Sequence, residues 1–194
     1  VGVANVTVPT MTSDFRALNE VAIRHDVETA IGHGFMGSLA CSEVNMTMAE
    51  YGRMCEVMVD QAAGRMITVH HAAFNSLAES IEGVRLAEAA GAELTLMCYP
   101  PYFNPQSLED VYDYTKALCD ATSMAVMLFP VPSWGFQKLH PADIPVPLLR
   151  RLIDDCSNIV AIKAEGGMPH IMAASEVHRH FQKEVVIWLS MEYD

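Results

Sequence analysis

Short apolar runs recur along this chain at intervals of about thirty residues. They start near Val3, Met36, Met66, Leu94, Ala125, Ile159 and Val185. Each run is short enough to be a buried strand, and about thirty residues is the length of a strand, a loop and a crossover helix. The pattern therefore predicts seven parallel strands that alternate with helices.

The starts of several helices are also marked in the sequence. Three hydroxyl residues stand three positions before an acid, which is the capping-box spacing or its close relative. These pairs are Thr47 and Glu50, Ser76 and Glu79, and Ser107 and Asp110. Glycines at 32, 34, 64 and 91 follow the expected helices, where a positive φ would end them before the next strand.

Seven strand and helix units can form an open doubly wound sheet or a closed barrel. Nucleotide-binding open sheets usually carry Gly-x-Gly-x-x-Gly after the first strand, and this motif is missing from the chain. The even spacing favours a (β/α)8, or TIM, barrel in one α/β domain over residues 1–194. A whole barrel takes about 250 residues, so we expect this chain to cover about seven strands, with the eighth unit missing or the chain a fragment.

The composition argues against several classes of partner. The net charge is −12 and there is no basic stripe, so nucleic acid is not expected. No apolar run approaches the roughly 18 to 20 residues that span a bilayer, and we expect a soluble, cytoplasmic protein. Five cysteines without a Cys-x-x-Cys pair fit reduced thiols. No cofactor is expected, and no metal, because adjacent His70 and His71 would point to opposite strand faces.

One lysine ends an apolar strand. Lys163 follows Ile159, and strand alternation puts the two on the same face with Ala161. In a barrel the active site lies at the carboxyl ends of the strands, and a desolvated amine there is a nucleophile toward a carbonyl carbon. The alternative interpretation is an ammonium group that reaches solvent or pairs with an acid.

Four segments occur in the order and spacing of a known enzyme family. They are Asn158 to Lys163 with Gly166 and Gly167, Pro100 to Pro105, Asn75 to Ser76 with Glu79, and Leu128 to Ser133. In these segments the chain resembles the dihydrodipicolinate synthase and N-acetylneuraminate lyase superfamily of class I lyases. The resemblance runs from the first strand to near Gly167.

This resemblance implies a Schiff base between Lys163 and pyruvate or another 2-oxo acid. The protonated imine is an electron sink that allows aldol cleavage or condensation, or dehydration of a sugar acid. The family also implies a homo-oligomer, usually a tetramer, and catalysis without a bound cofactor.

The chain departs from the family at positions that carry protons. Phe129 and Phe103 stand where members of the family have tyrosines, and a phenyl ring cannot transfer a proton. Dihydrodipicolinate synthase activity proper is therefore not expected. Tyr102 becomes the second catalytic candidate beside Lys163. The residues expected to bind substrate are Cys41, Ser42, Phe129, Tyr99 and His71.

Some alternatives stay open on the sequence alone. The segment that binds the substrate carboxylate in the family corresponds here to Ser38 through Glu43, with Ser42 or Glu43 at its acidic position. His70 and Glu165 are further candidates for moving a proton. A barrel that kept Lys163 but lost its proton relay would instead be a 2-oxo acid binding protein or a structural subunit.

Overall fold

The structure is a computed structural model that describes residues 2–42, 46–165 and 171–189. Contacts along the backbone divide the chain into two compact units, Val1–Leu96 and Met97–Asp194. Glu43, weighed above as a carboxylate-binding position, lies outside the described residues.

The first unit contains four strands in parallel and three helices. The strands pair in chain order, which is the arrangement that strand and helix alternation predicts. They are β1 (Ala4–Thr7), β2 (Gly37–Ala40), β3 (Ile67–His71) and β4 (Leu94–Leu96). The helices are α1 (Glu20–Gly32), α2 (Met48–Ala62) and α3 (Leu77–Ala90).

The second unit continues the same pattern. Strand β6 pairs in parallel with β5 on one side and with β7 on the other. The strands are β5 (Ala125–Leu128), β6 (Ile159–Ala164) and β7 (Val186–Leu189), and the helices are α4 (Leu108–Asp120), α5 (Val146–Asp155) and α6 (Ile171–Phe181). Two short 3₁₀ helices, Pro132–Trp134 and Phe136–Lys138, follow β5.

The helix caps predicted from the sequence are confirmed, with one change of detail. Thr47 and Ser107 form complete capping boxes with the acids three residues later. Ser76 caps α3 by accepting the N–H of Glu79, but the Glu79 carboxylate accepts the N–H of Asn75, one residue before the cap. Both forms satisfy backbone donors that the first turn leaves unpaired.

Glycine lets one helix approach the loop after β3 closely. A Cβ atom on Gly83 of α3 would lie only 2.4 Å from Cε2 of Phe74. The missing side chain therefore leaves room for the Phe74 ring, which stacks with the imidazole of His70 at a centroid distance of 6.2 Å.

The structure also bears on membrane spans, metal binding and disulfide bonds. In the described part of the chain, no helix is long and apolar enough to cross a membrane. Within the same residues, no three His, Cys, Asp or Glu side chains lie close enough together to hold a metal ion. The five cysteines are buried, and none of them forms a disulfide bond.

Candidate active site

Strand β6 places Lys163 at its carboxyl end. Ile159 and Ala161 are buried, whereas Val160 is 41% exposed, as the alternation of side chains along a strand predicts. The Lys163 side chain is 26% exposed. The Lys163 side chain is thus on the face predicted from the sequence and is partly exposed.

Among the described residues, the side chains of Glu165 and Phe129 contact the amine of Lys163. The Nζ atom lies 2.5 Å from Oε1 of Glu165, whose side chain is 22% exposed. It also lies 4.1 Å from the centroid of the Phe129 ring. The carboxylate and the π face of the ring both attract the ammonium form, and they fix the position of the amine.

The Phe129 ring is held by a tryptophan that the sequence did not single out. The indole N–H of Trp134 donates to the carbonyl oxygen of Phe129 at 2.8 Å. The two rings meet edge to face at a centroid distance of 5.8 Å. The 3₁₀ helix Pro132–Trp134 turns the chain back after β5, and this turn brings the indole onto the ring.

Tyr99 belongs to the aromatic cluster next to this site. Its ring stacks on Phe103 and meets Trp134 edge to face at 5.6 Å. Its hydroxyl shares a hydrogen bond of 2.7 Å with Oγ1 of Thr115, and burial raises its pKa. Tyr99 is 2% exposed, so its hydroxyl is enclosed within the unit.

Tyr102 lies apart from this cluster. Its side chain is 89% exposed, in the loop between β4 and α4. The contacts of the Lys163 amine given above are with Glu165 and Phe129, and Tyr102 is not brought to them. Its role as a catalytic residue stays a prediction.

Three other predicted residues lie in the first unit. The Oγ of Ser42 lies 3.3 Å from Nδ1 of His71, and the Ser42 N–H points at the same nitrogen at 3.4 Å. The Ser42 hydroxyl also accepts the N–H of Ala73. Cys41 precedes this pair, and its N–H donates to the carbonyl of Thr7 at 3.1 Å. The structure therefore brings Ser42 and His71 together at the ends of β2 and β3.

A buried pair beside them was not predicted. The Tyr51 hydroxyl lies 2.6 Å from Nδ1 of His70 and accepts the N–H of His71. His70 is fully buried, and burial lowers its pKa to about 3, with a smaller contribution from His71. The neutral imidazole of His70 thus connects β3 to α2. No pattern in the sequence of either segment predicts this contact.

Solved structures share this arrangement of strands and helices. Dihydrodipicolinate synthase from Aquifex aeolicus matches 97% of the chain with a TM-score of 0.81 at 19% identity, and the match covers 62% of that structure. N-acetylneuraminate lyase from Fusobacterium nucleatum matches 97% with a TM-score of 0.82 at 16% identity, again over 62% of its length. The fold is thus the α/β fold of the (β/α)8 barrel, and the described residues supply seven of its strands.

Sequence comparison gives the family. The model of the dihydrodipicolinate synthetase family matches residues 5–193, so the chain belongs to that family. It is 29% identical to 4-hydroxy-tetrahydrodipicolinate synthase of Rhizobium meliloti over 77% of its length, and 32% identical to the enzyme of Hyphomonas neptunium over 85%. The chain spans 51% and 56% of those relatives, which is about half of their length.

Proposed function

We propose that this protein is a class I lyase in which Lys163 forms a Schiff base with pyruvate or a related 2-oxo acid. The observation that carries the proposal is the placement of the Lys163 amine at the end of β6, in contact with the Glu165 carboxylate and the Phe129 ring. An amine nucleophile needs a position open to a small carbonyl compound and a nearby group that takes up its proton.

Relatives support the choice of pyruvate. A structure of dihydrodipicolinate synthase from Acinetobacter baumannii, complexed with pyruvate, matches 97% of this chain with a TM-score of 0.80 at 21% identity. Pyruvate has the 2-oxo group that a lysine imine requires. A C–C bond one carbon away from that imine can then break or form, because the iminium group accepts the electron pair.

The proton chemistry directs the proposal toward an aldolase or a sugar-acid dehydratase. The phenyl rings of Phe129 and Phe103 cannot move the proton that a tyrosine hydroxyl would carry. We therefore do not propose dihydrodipicolinate synthase activity for this chain. The alternative is a 2-oxo acid binding protein. It would form the same imine on Lys163 but would not convert the bound 2-oxo acid to product.

Borohydride trapping tests the Schiff base. The chain is incubated with pyruvate and sodium borohydride, digested, and mapped by mass spectrometry. We expect a reduced pyruvate adduct on Lys163, because reduction fixes the imine as a secondary amine. The exposed Lys183 and Lys138 serve as internal controls and should remain unmodified. Absence of an adduct on Lys163, or equal labelling of the three lysines, would refute the proposal.

We also propose that the substrate carboxylate is bound by Cys41, Ser42 and His71. The Ser42 hydroxyl and N–H and the His71 imidazole are polar groups gathered at two strand ends, and such groups bind a carboxylate through charge-assisted hydrogen bonds.

Ser42→Ala tests this second proposal. Loss of one hydrogen bond to a charged group costs about 1.5 kcal/mol, so the pyruvate concentration that gives half-maximal trapping should rise about tenfold. The maximal extent of trapping should stay the same. Ser157→Ala, at an exposed position before β6, is the matched control. An unchanged half-maximal concentration in Ser42→Ala would contradict the assignment.

A further inference from the structure

We propose that Glu165 is the proton carrier of the Lys163 imine, in place of the tyrosine hydroxyl that the chain lacks. The inference rests on the proposed function and adds a catalytic residue to it. It starts from the contact of 2.5 Å between Oε1 of Glu165 and Nζ of Lys163. Because this contact is already present in the structure, the Glu165 carboxylate does not have to move to reach the reacting nitrogen.

The geometry favours a carboxylate that acts on the amine. Glu165 follows the last residue of β6, Ala164, and its side chain turns back toward Lys163 from two positions further along the chain. Its side chain is 22% exposed and that of Lys163 is 26% exposed, so both are partly withdrawn from water. The Phe129 ring, whose centroid lies 4.1 Å from the amine, supplies no proton donor or acceptor.

Nearby hydroxyl and N–H groups are already engaged. The Tyr99 hydroxyl is bonded to Thr115 inside the aromatic cluster. The Trp134 N–H donates to the Phe129 carbonyl oxygen, and an indole N–H cannot accept a proton. Tyr102 is 89% exposed to solvent. In this part of the structure the Glu165 carboxylate is thus the group placed to exchange protons with the reacting atoms.

Imine formation starts when the Glu165 carboxylate takes a proton from the Lys163 ammonium group. The free amine then adds to C2 of pyruvate, and one of its N–H protons passes to the former carbonyl oxygen to give the carbinolamine. The Glu165 carboxyl gives its proton to the carbinolamine hydroxyl, the C–O bond breaks, and water leaves as the protonated imine forms. The imine carbon is then bonded to the lysine nitrogen, and the methyl carbon C3 lies two bonds from that nitrogen. The Glu165 carboxylate takes a proton from C3. The C–H electron pair becomes the C2=C3 bond, and the C2=N pair returns to nitrogen as the enamine.

Two measurements on the same variants test this role. One is borohydride trapping of pyruvate, which reports imine formation. The other is exchange of the pyruvate methyl protons with D₂O, followed by NMR, which reports proton transfer at C3. In Glu165→Gln, the imine should form more slowly but reach the same final extent of trapping, while exchange falls about 100-fold, because the amide cannot accept the proton from C3. Glu165→Asp should recover part of the exchange. Glu109→Gln, at an exposed carboxylate paired with Arg151, should leave both rates unchanged.

The outcomes separate this inference from the proposed function. If the wild-type chain gives no adduct, the Schiff base fails and the role of Glu165 fails with it. If the wild type is trapped but Glu165→Gln exchanges as fast as the wild type, only the inference about Glu165 is overturned. Equal losses of trapping and exchange in Glu165→Gln also overturn it, since they would make Glu165 a residue that only positions Lys163.

Discussion

Arginine in place of Lys163 is expected to lower the exchange of pyruvate methyl protons by at least about 10³-fold, to the rate without protein. The guanidinium group stays protonated at all accessible pH values and is not a nucleophile toward the 2-oxo carbon. Its charge can still pair with Glu165 and lie over the Phe129 ring. The variant therefore removes the nucleophile while it keeps the electrostatic contacts at the end of β6.

The control for this variant is Lys183→Arg, which changes an exposed lysine in the same unit. It should exchange at the wild-type rate. Far-UV circular dichroism and the thermal midpoint of each variant show whether the fold is retained. Exchange in Lys163→Arg clearly above the rate without protein would contradict the Schiff-base mechanism, because the remaining activity could not pass through a lysine imine at this position.

The repeat in the sequence was sufficient to predict the strands. The expected start near Ile159 matches β6, and the expected start near Val185 lies one residue before β7. Short buried strands in this fold are continuous apolar runs, so composition alone marks them. The caps at Thr47 and Ser107 were predictable for a similar reason, since a helix start depends on side chains within one turn.

The candidate site was less predictable, because its contacts depend on turns. Lys163 was found from strand alternation and the family resemblance. The position of Trp134 depends on a 3₁₀ turn after β5, and no periodic pattern marks such a turn. Glu165 was one of several acids and bases near strand ends, and only the structure puts its carboxylate against the amine.

The residue type alone also does not show which tyrosine hydroxyl groups are accessible to a substrate. Tyr99 and Tyr102 follow the same strand and have the same side chain. One is enclosed and bonded to Thr115, and the other is exposed to solvent. A loop of a few residues decides between these environments, and loop conformation leaves little trace in the sequence. The pair of His70 and Tyr51 joins a strand to a helix, and the two residues are 19 positions apart in the chain.

The buried pair of His70 and Tyr51 should also make the stability of the folded chain depend strongly on pH. His70 is fully buried, and its pKa is lowered to about 3 from the usual 6.5, first by burial and then by His71. The groups that face it are the Tyr51 hydroxyl at Nδ1 and the ring of Phe74, neither of which is an anion. Among the described residues, Nε2 of His70 has no hydrogen-bond partner that could stabilise a proton. The folded chain therefore holds His70 neutral.

The consequence is a loss of stability in acid. The unfolded chain takes up a proton at His70 as the pH falls through 6.5, whereas the folded chain resists it down to about pH 3. This contribution to stability is fully present above pH 6.5 and is lost progressively below it. By pH 4 its loss should lower the free energy of unfolding by about 3 kcal/mol.

Urea unfolding at pH 7, 5.5 and 4 measures the slope of the unfolding free energy against pH for the wild type, for His70→Gln and for His25→Gln. The exposed His25 is the matched control, and its variant should keep the wild-type slope. His70→Gln should lose the part of the slope that His70 contributes, whatever its stability at pH 7, because a glutamine does not titrate. Carboxylates such as Glu28, whose pKa is lowered by hydrogen bonds from Arg65, keep the rest of the slope. A slope in His70→Gln equal to that of the wild type would show that other groups cause the acid sensitivity.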